Sequence, residues 1–196
     1  MNVNDTLLRR GLMLEYLTLG WNVVGVSIVL FAAWQARSVA LAGFGLDSLI
    51  EIGASTVVIW ELTDAGKERE KKALRLIGGA FFALALYILA QSLRTLCLHI
   101  HPQLSLIGMA WLLLTFVVMV TLAQGKRILG IQLNNPVLLT EGRVTMVDAY
   151  LAGSVLVGLV LNLFFQWWWA DPIAGLVIVF YGFKEGRHAW QEGSSH

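Results

Sequence analysis

The sequence is poor in charge and in cysteine, and it lacks the residue constellations of soluble enzymes. Charged residues make up 14% of its 196 positions, where an ordinary soluble domain carries roughly 25%. Too little polar surface is available to coat a water-soluble globule of this size. A single cysteine, Cys97, excludes an intrachain disulfide. The chain has no Cys-x-x-Cys, no phosphate-cradling glycine loop and no nucleophile with a paired base, so it is not expected to be an enzyme. Internal repeats and low-complexity segments are absent too, and nothing in the pattern calls for nucleic acid.

What is present is apolar length. Hydrophobic residues reach 57% and the mean hydropathy is +0.69. Several stretches approach the roughly 20 residues that cross a bilayer. The expected architecture is all-α: a single transmembrane domain over 1–196, a six-helix polytopic bundle with short loops. Its spans are expected near 12–34, 39–62, 76–98, 104–122, 136–165 and 168–183. Asn135-Pro136 reads as an N-cap followed by proline at the first helical position, which starts the fifth helix. The polar segment from Thr63 to Arg75, with its KEREKK run, reads as a solvated loop. Gly125 to Asn135 reads as a basic, then polar, connection. Asn2, Asn4 and Asp5 precede Arg9 and Arg10, and the apolar run that follows is too long for a cleavable signal. Gly193 to His196 reads as an appended tail without functional weight.

Net charge, +1, says little; the placement of charge says more. With six spans, Arg9, Arg10, Lys67, Arg69, Lys71, Lys72, Arg75, Lys126, Arg127, Arg143, Lys184 and Arg187 fall on one side of the membrane. Arg37 and Arg94 fall on the other. Positive residues concentrate in the cytoplasm, so both termini are expected there, in a cell (inner) membrane. Trp167, Trp168 and Trp169 then sit at the outer interface as an aromatic anchor.

A carboxylate at mid-helix in a bilayer costs at least ~2.5–3.5 kcal/mol, so intramembrane acids are functional candidates. Asp47 and Glu51 are four apart in GFGLDSLIEIG, one above the other on a helical face. Like charges at that spacing repel, and a divalent cation or shared proton relieves them; no basic residue lies in the same span. Asp148 lies well inside the fifth helix. Glu141, seven earlier, shares its face as either an entrance carboxylate or a first-turn charge favoured by the helix dipole. Glu15 and Asn22 are also seven apart. Asn22 is placed to ligate, brace a carboxylate or bond between helices, and Glu15 reads as a supporting acid or an interfacial one near Arg9 and Arg10. Asp171, before Pro172, reads as the cap of the sixth helix. His99 and His101 face the outer side as a weak metal signal, and His188 has no evident partner. Gly20, Gly25, Gly43, Gly45, Gly53, Gly78, Gly79, Gly153 and Gly158 read as close-packing positions.

These residues resemble the cation diffusion facilitator family. SVALAGFGLDSLIEIGAS looks like its second transmembrane helix, with Asp47 and Glu51 at two metal-binding positions. EGRVTMVDAYLAGSVLVGLVLN looks like its fifth, with Asp148 at the second position of an HxxxD or DxxxD pair. WWADPIAGLVIVFYGFKEGRHAW looks like its sixth. The resemblance implies proton-coupled efflux of a divalent metal cation of the zinc, manganese or iron class, by a homodimer. Two departures accompany it. Val144 stands where the family has His or Asp, so Glu141, Asn22, Glu15 or water would have to fill in. The soluble domain that usually follows the sixth helix is expected to be missing, which leaves dimerisation to membrane helices. All-oxygen ligands favour manganese or magnesium over zinc. The same acids would also serve a proton-coupled transporter of a monovalent or small organic cation, or a non-transporting metal sensor.

Overall fold

In the computed structural model the chain is described over residues 3–63 and 67–194, with the backbone alone at 3–5, 60–63, 67–70, 72–74 and 77. Six α-helices account for nearly all of it, with no strand among the described residues: α1 (Val3–Ala36), α2 (Val39–Thr63), α3 (Lys67–Cys97), α4 (Leu106–Leu133), α5 (Pro136–Phe165) and α6 (Ala170–Glu192). The first five are long and apolar enough to cross a membrane. At 23 residues, α6 is about 35 Å long, but Asp171, Lys184, Glu185 and Arg187 make it less apolar.

The helices overrun the expected spans. Charged and polar residues continue α1, α3, α4 and α6 beyond their apolar stretches, because a helix need not stop where the hydrocarbon does. The KEREKK run is therefore the first turns of α3 rather than a loop; most of its side chains lie outside those described. The larger correction concerns α4, which runs to Leu133 instead of ending near Leu122. Gln124-Gly125-Lys126-Arg127 looks like a helix exit. It is not one, because Lys126 finds buried partners and can stay inside. α4 ends at Asn134, which adopts the left-handed conformation (φ 50°). As expected, Asn135 caps α5 by accepting from the Leu138 N–H, with Pro136 opening the helix.

α2 is the central helix and packs on α1, α3, α5 and α6; α4 packs on α1 and α5, and α3 pairs with α6. The bundle has an apolar core, with Phe44, Ile88, Leu112, Leu151 and Ile178 buried, but its outer surface is apolar as well and its interior also carries polar residues. Met13, Leu17, Val24, Phe31, Leu113, Val117, Val157 and Phe180 face outward, while Glu15, Asn22, Asp47, Glu51, Lys126, Glu141 and Asp148 are buried. A hydrocarbon solvent produces this pattern, since apolar side chains lose nothing there and polar ones must find one another. The chain is a multi-pass membrane protein.

Close approach between helices rests on particular glycines. A Cβ on Gly142 would lie 3.1 Å from the Arg127 nitrogen and 3.2 Å from the Lys126 Cβ; one on Gly125 would lie 2.9 Å from Leu14. These two glycines let α4 pack tightly on α5 and α1, and neither stood out in the sequence. Gly78 and Gly186 do the same between α3 and α6. A Cβ on Gly20, Gly53 or Gly79, by contrast, would meet nothing within 4 Å among the described residues, so these glycines are not needed for helix approach within the described bundle.

Candidate cation site

The buried polar residues form two tiers along the inner faces of α1, α2, α4 and α5. Helical rise of 1.5 Å per residue gives their depth from the basic end of the bundle, where the α2 C-terminus and α5 N-terminus meet. Glu141, Lys126 and Ser55 lie about 8–12 Å in along their own helices, and Glu15 joins them through its ion pair with Lys126. Glu51 and Asp148 lie about 18 Å in and Asp47 about 24 Å in, and Asn22 joins them through its hydrogen bond to Glu51.

In the deeper tier, Asp47, Glu51 and Asp148 are 3%, 0% and 1% exposed. Asn22 donates its amide N–H to Glu51 Oε2 at 2.9 Å, so it braces a carboxylate across α1 and α2. The other Glu51 oxygen, one oxygen of Asp47 and both of Asp148 are buried with no hydrogen-bond partner among the described residues. Buried polar atoms in folded proteins are nearly always paired, which makes four orphaned carboxylate oxygens on two facing helices a marked exception. Asp148 lies within electrostatic reach of Asp47, and Glu51 within reach of both. Among the described residues, however, no three acid, histidine or cysteine side chains are grouped closely enough to hold one metal ion. Val144, one turn before Asp148, is buried and apolar and adds no donor.

The shallower tier is built around Lys126, which sequence reasoning assigned to a loop. Its side chain is fully buried. The ammonium donates to Thr145 Oγ1 at 3.0 Å and to Glu141 Oε1 at 3.2 Å. Glu15 Oε2 lies 3.1 Å away as an ion pair, outside hydrogen-bond alignment, so Glu15 retains unsatisfied oxygens. Ser55 Oγ donates to the same Glu141 oxygen at 3.1 Å. Glu141 is thus neither an exposed first-turn charge nor an orphan, and Glu15 is not interfacial. Lys126, supplied by α4, is thus the partner of Glu15 on α1 and Glu141 on α5, and among the described residues it forms no ion pair with Asp47 or Glu51. Its signal in the sequence is weak: Lys126 stands beside Arg127 in the last third of α4, and only the extension of that helix places it inside the bundle.

At the opposite end, Asp171 is a cap, but of a different helix. It accepts from the Val39 and Ala40 N–H groups at 3.0 and 3.3 Å and from the Ser38 hydroxyl, closing the N-terminus of α2, while α6 has no side-chain cap. His99 and His101 both lie against the Trp168 ring, at 5.2 and 5.3 Å between centroids. His188, unpartnered in the sequence reading, lies 3.3 Å from Glu192, which also pairs with Arg143. A cleft of about 560 Å³ opens between α4 and α5, lined by Arg127, Arg143 and Glu192 among others. None of the three deep acids lines it, and one of its two arginines, Arg143, is paired there with Glu192.

Comparison with known proteins fits the tiered bundle. The cation efflux transmembrane domain matches residues 16–195, which takes in both tiers except Glu15. Transmembrane protein 163 of Xenopus laevis is 24% identical over 182 residues, covering 86% of this chain and 65% of that relative. The chain therefore spans a little under two thirds of that curated relative's length. With the family's transmembrane domain matching nearly the whole of this chain, the chain belongs to the cation efflux family.

Proposed function

We propose that the chain carries a divalent metal cation across the membrane, out of the cytoplasm and in exchange for protons, through Asp47, Glu51 and Asp148. The observation that carries this reading is the set of four orphaned, buried carboxylate oxygens on α2 and α5. An oxygen ligand set of this kind suits a hard cation such as manganese(II) better than zinc. In the proposed cycle the site opens to one face, the acids release protons and draw together on the ion, and protons displace it at the other face. The basic end of the bundle is the cytoplasmic one. The family resemblance supports a homodimer joined through membrane helices.

The absence of a tight three-ligand group among the described residues favours a second reading, a singly charged or small organic cation, which needs fewer close ligands. One experiment separates the two. Purified protein in proteoliposomes is loaded against a pH gradient with manganese, zinc, iron and cobalt in turn. Metal flux driven by the gradient and abolished by Asp47→Ala and by Asp148→Ala is the expected result. Flux that survives both substitutions rejects the carboxylate site. Absence of metal flux alongside proton-coupled movement of an organic cation, unaffected by added metals, selects the second reading.

A further inference from the structure

The shallower tier has the donor set of a cation site and already holds a cation. Glu15, Glu141 and Thr145 place three oxygens at 3.0–3.2 Å around one point, the Lys126 nitrogen. Ser55 supplies a further hydroxyl, bonded to Glu141. The site is fully built: Glu15, Ser55, Lys126 and Thr145 are all 0% exposed. Glu15 contacts the ammonium through Oε2, and its other oxygen, Oε1, is buried without a hydrogen bond among the described residues, so the lysine does not exhaust the site's capacity. The location matters as well. This tier lies between the basic end and the deep acids, and α1, α2, α4 and α5 all contribute to it. A cation moving along the inner faces of these helices would meet Glu15 and Glu141 before Glu51.

We propose that Glu15, Glu141, Ser55 and Thr145 form a second cation station, on the path between the basic end and the deep acids, and that the Lys126 ammonium is its built-in occupant. Lys126 stands in for the cargo when the station is empty. A passing divalent ion displaces it, and its return closes the way behind. A lysine suits this role because its ammonium is a compact charge on a flexible four-carbon stem. It can leave three oxygens and come back without movement of the backbone. A guanidinium, planar and held by several donors at once, would leave less readily.

This inference rests on the cation-carrier reading, and the test keeps the two apart. Manganese(II) bound per chain is counted at saturation on purified protein in nanodiscs, with thermal unfolding as the check on folding. Wild type is expected to hold one ion at the deep acids. Lys126→Gln vacates the station and is expected to hold two, and Lys126→Gln combined with Glu15→Gln returns to one. Lys126→Arg is expected to hold one ion yet lose at least tenfold in manganese flux, because the station stays filled. A folded Lys126→Gln that binds no more than wild type overturns the station, as does a Lys126→Arg that transports at the wild-type rate. The second test stands even where Lys126→Gln does not fold. Asp47→Asn tells the two readings apart. No ion on wild type and one on Lys126→Gln, unchanged by Asp47→Asn, would reject the deep site while keeping the station.

Discussion

Replacing Asp171 by alanine and by asparagine should produce sharply different proteins. The carboxylate serves the first turn of α2: Val39 and Ala40 donate to one of its oxygens and Ser38 to the other, while Ser38 itself accepts from Leu41 at 3.0 Å. Together the two side chains satisfy three of the four N–H groups that a helix start leaves open. Alanine strips the Ala40 amide and the Ser38 hydroxyl, both buried, of their acceptor, at about 1–3 kcal/mol each. It also removes a negative charge from a helix N-terminus, worth up to about 2 kcal/mol when partly buried. A loss of roughly 3–5 kcal/mol follows, or roughly 6–20 °C in unfolding temperature at about 2–4 °C per kcal/mol for a chain of this size. Asparagine keeps an acceptor for both backbone groups and offers its amide N–H to the Ser38 oxygen. It forfeits only the charge, about 1 kcal/mol, and should unfold within a few degrees of wild type. Thermal unfolding in detergent, followed by tryptophan fluorescence, measures both. If asparagine is as damaging as alanine, the capping argument fails. If both variants unfold like wild type but lose flux, Asp171 is part of the transport path instead.

Two further substitutions probe the packing and the ligand set. Gly142→Ala forces a methyl group against the α4 backbone and should cost about 1–3 kcal/mol in thermal unfolding, whereas Gly79→Ala, in open space, should be neutral or stabilising by up to about 1 kcal/mol; equal effects would show that the α4–α5 approach is not tight. Val144→His places an imidazole one turn from Asp148 and should tighten zinc binding about tenfold, equivalent to about 1.4 kcal/mol, in a competition titration against a metal-sensitive dye; unchanged affinity would mean that Val144 does not face the ion.

Much of this architecture was readable from the sequence, because a bilayer allows few solutions. Apolar length announced the helices, Asn135-Pro136 announced the start of α5, and the four-residue spacing of Asp47 and Glu51 announced an intramembrane acid pair. What escaped was whatever depends on pairing between helices. Lys126 has no partner within its own span, and its neighbours Gly125 and Arg127 resemble a helix exit. Only the approach of α4 to α5 and α1, which Gly142 and Gly125 permit, shows that two acids from two other helices meet it. Asp171 was misassigned for the same reason. Its Asp-Pro context fits a local cap, while its actual partners lie more than 130 positions away, on α2.

The two tiers differ in one physical respect that bears on direction. The shallow tier holds its own positive charge against Glu15 and Glu141; the deep tier has three acids and, among the described residues, only an amide to brace one of them. Counted by residue, the shallow tier sets two acids against one lysine, while the deep tier has three acids and no cation of its own among the described residues. On the proposed reading, an entering cation would meet a site guarded by a lysine and then the unguarded acids. The guard would also serve once the deep site is loaded, since a positive ion there would repel the ammonium back toward Glu15 and Glu141. The same charges that draw the ion inward then oppose its retreat by the way it came. On the proposed reading such a carrier would need something other than the ion's own affinity to empty it at the far face, and protonation of the deep acids would weaken their attraction there.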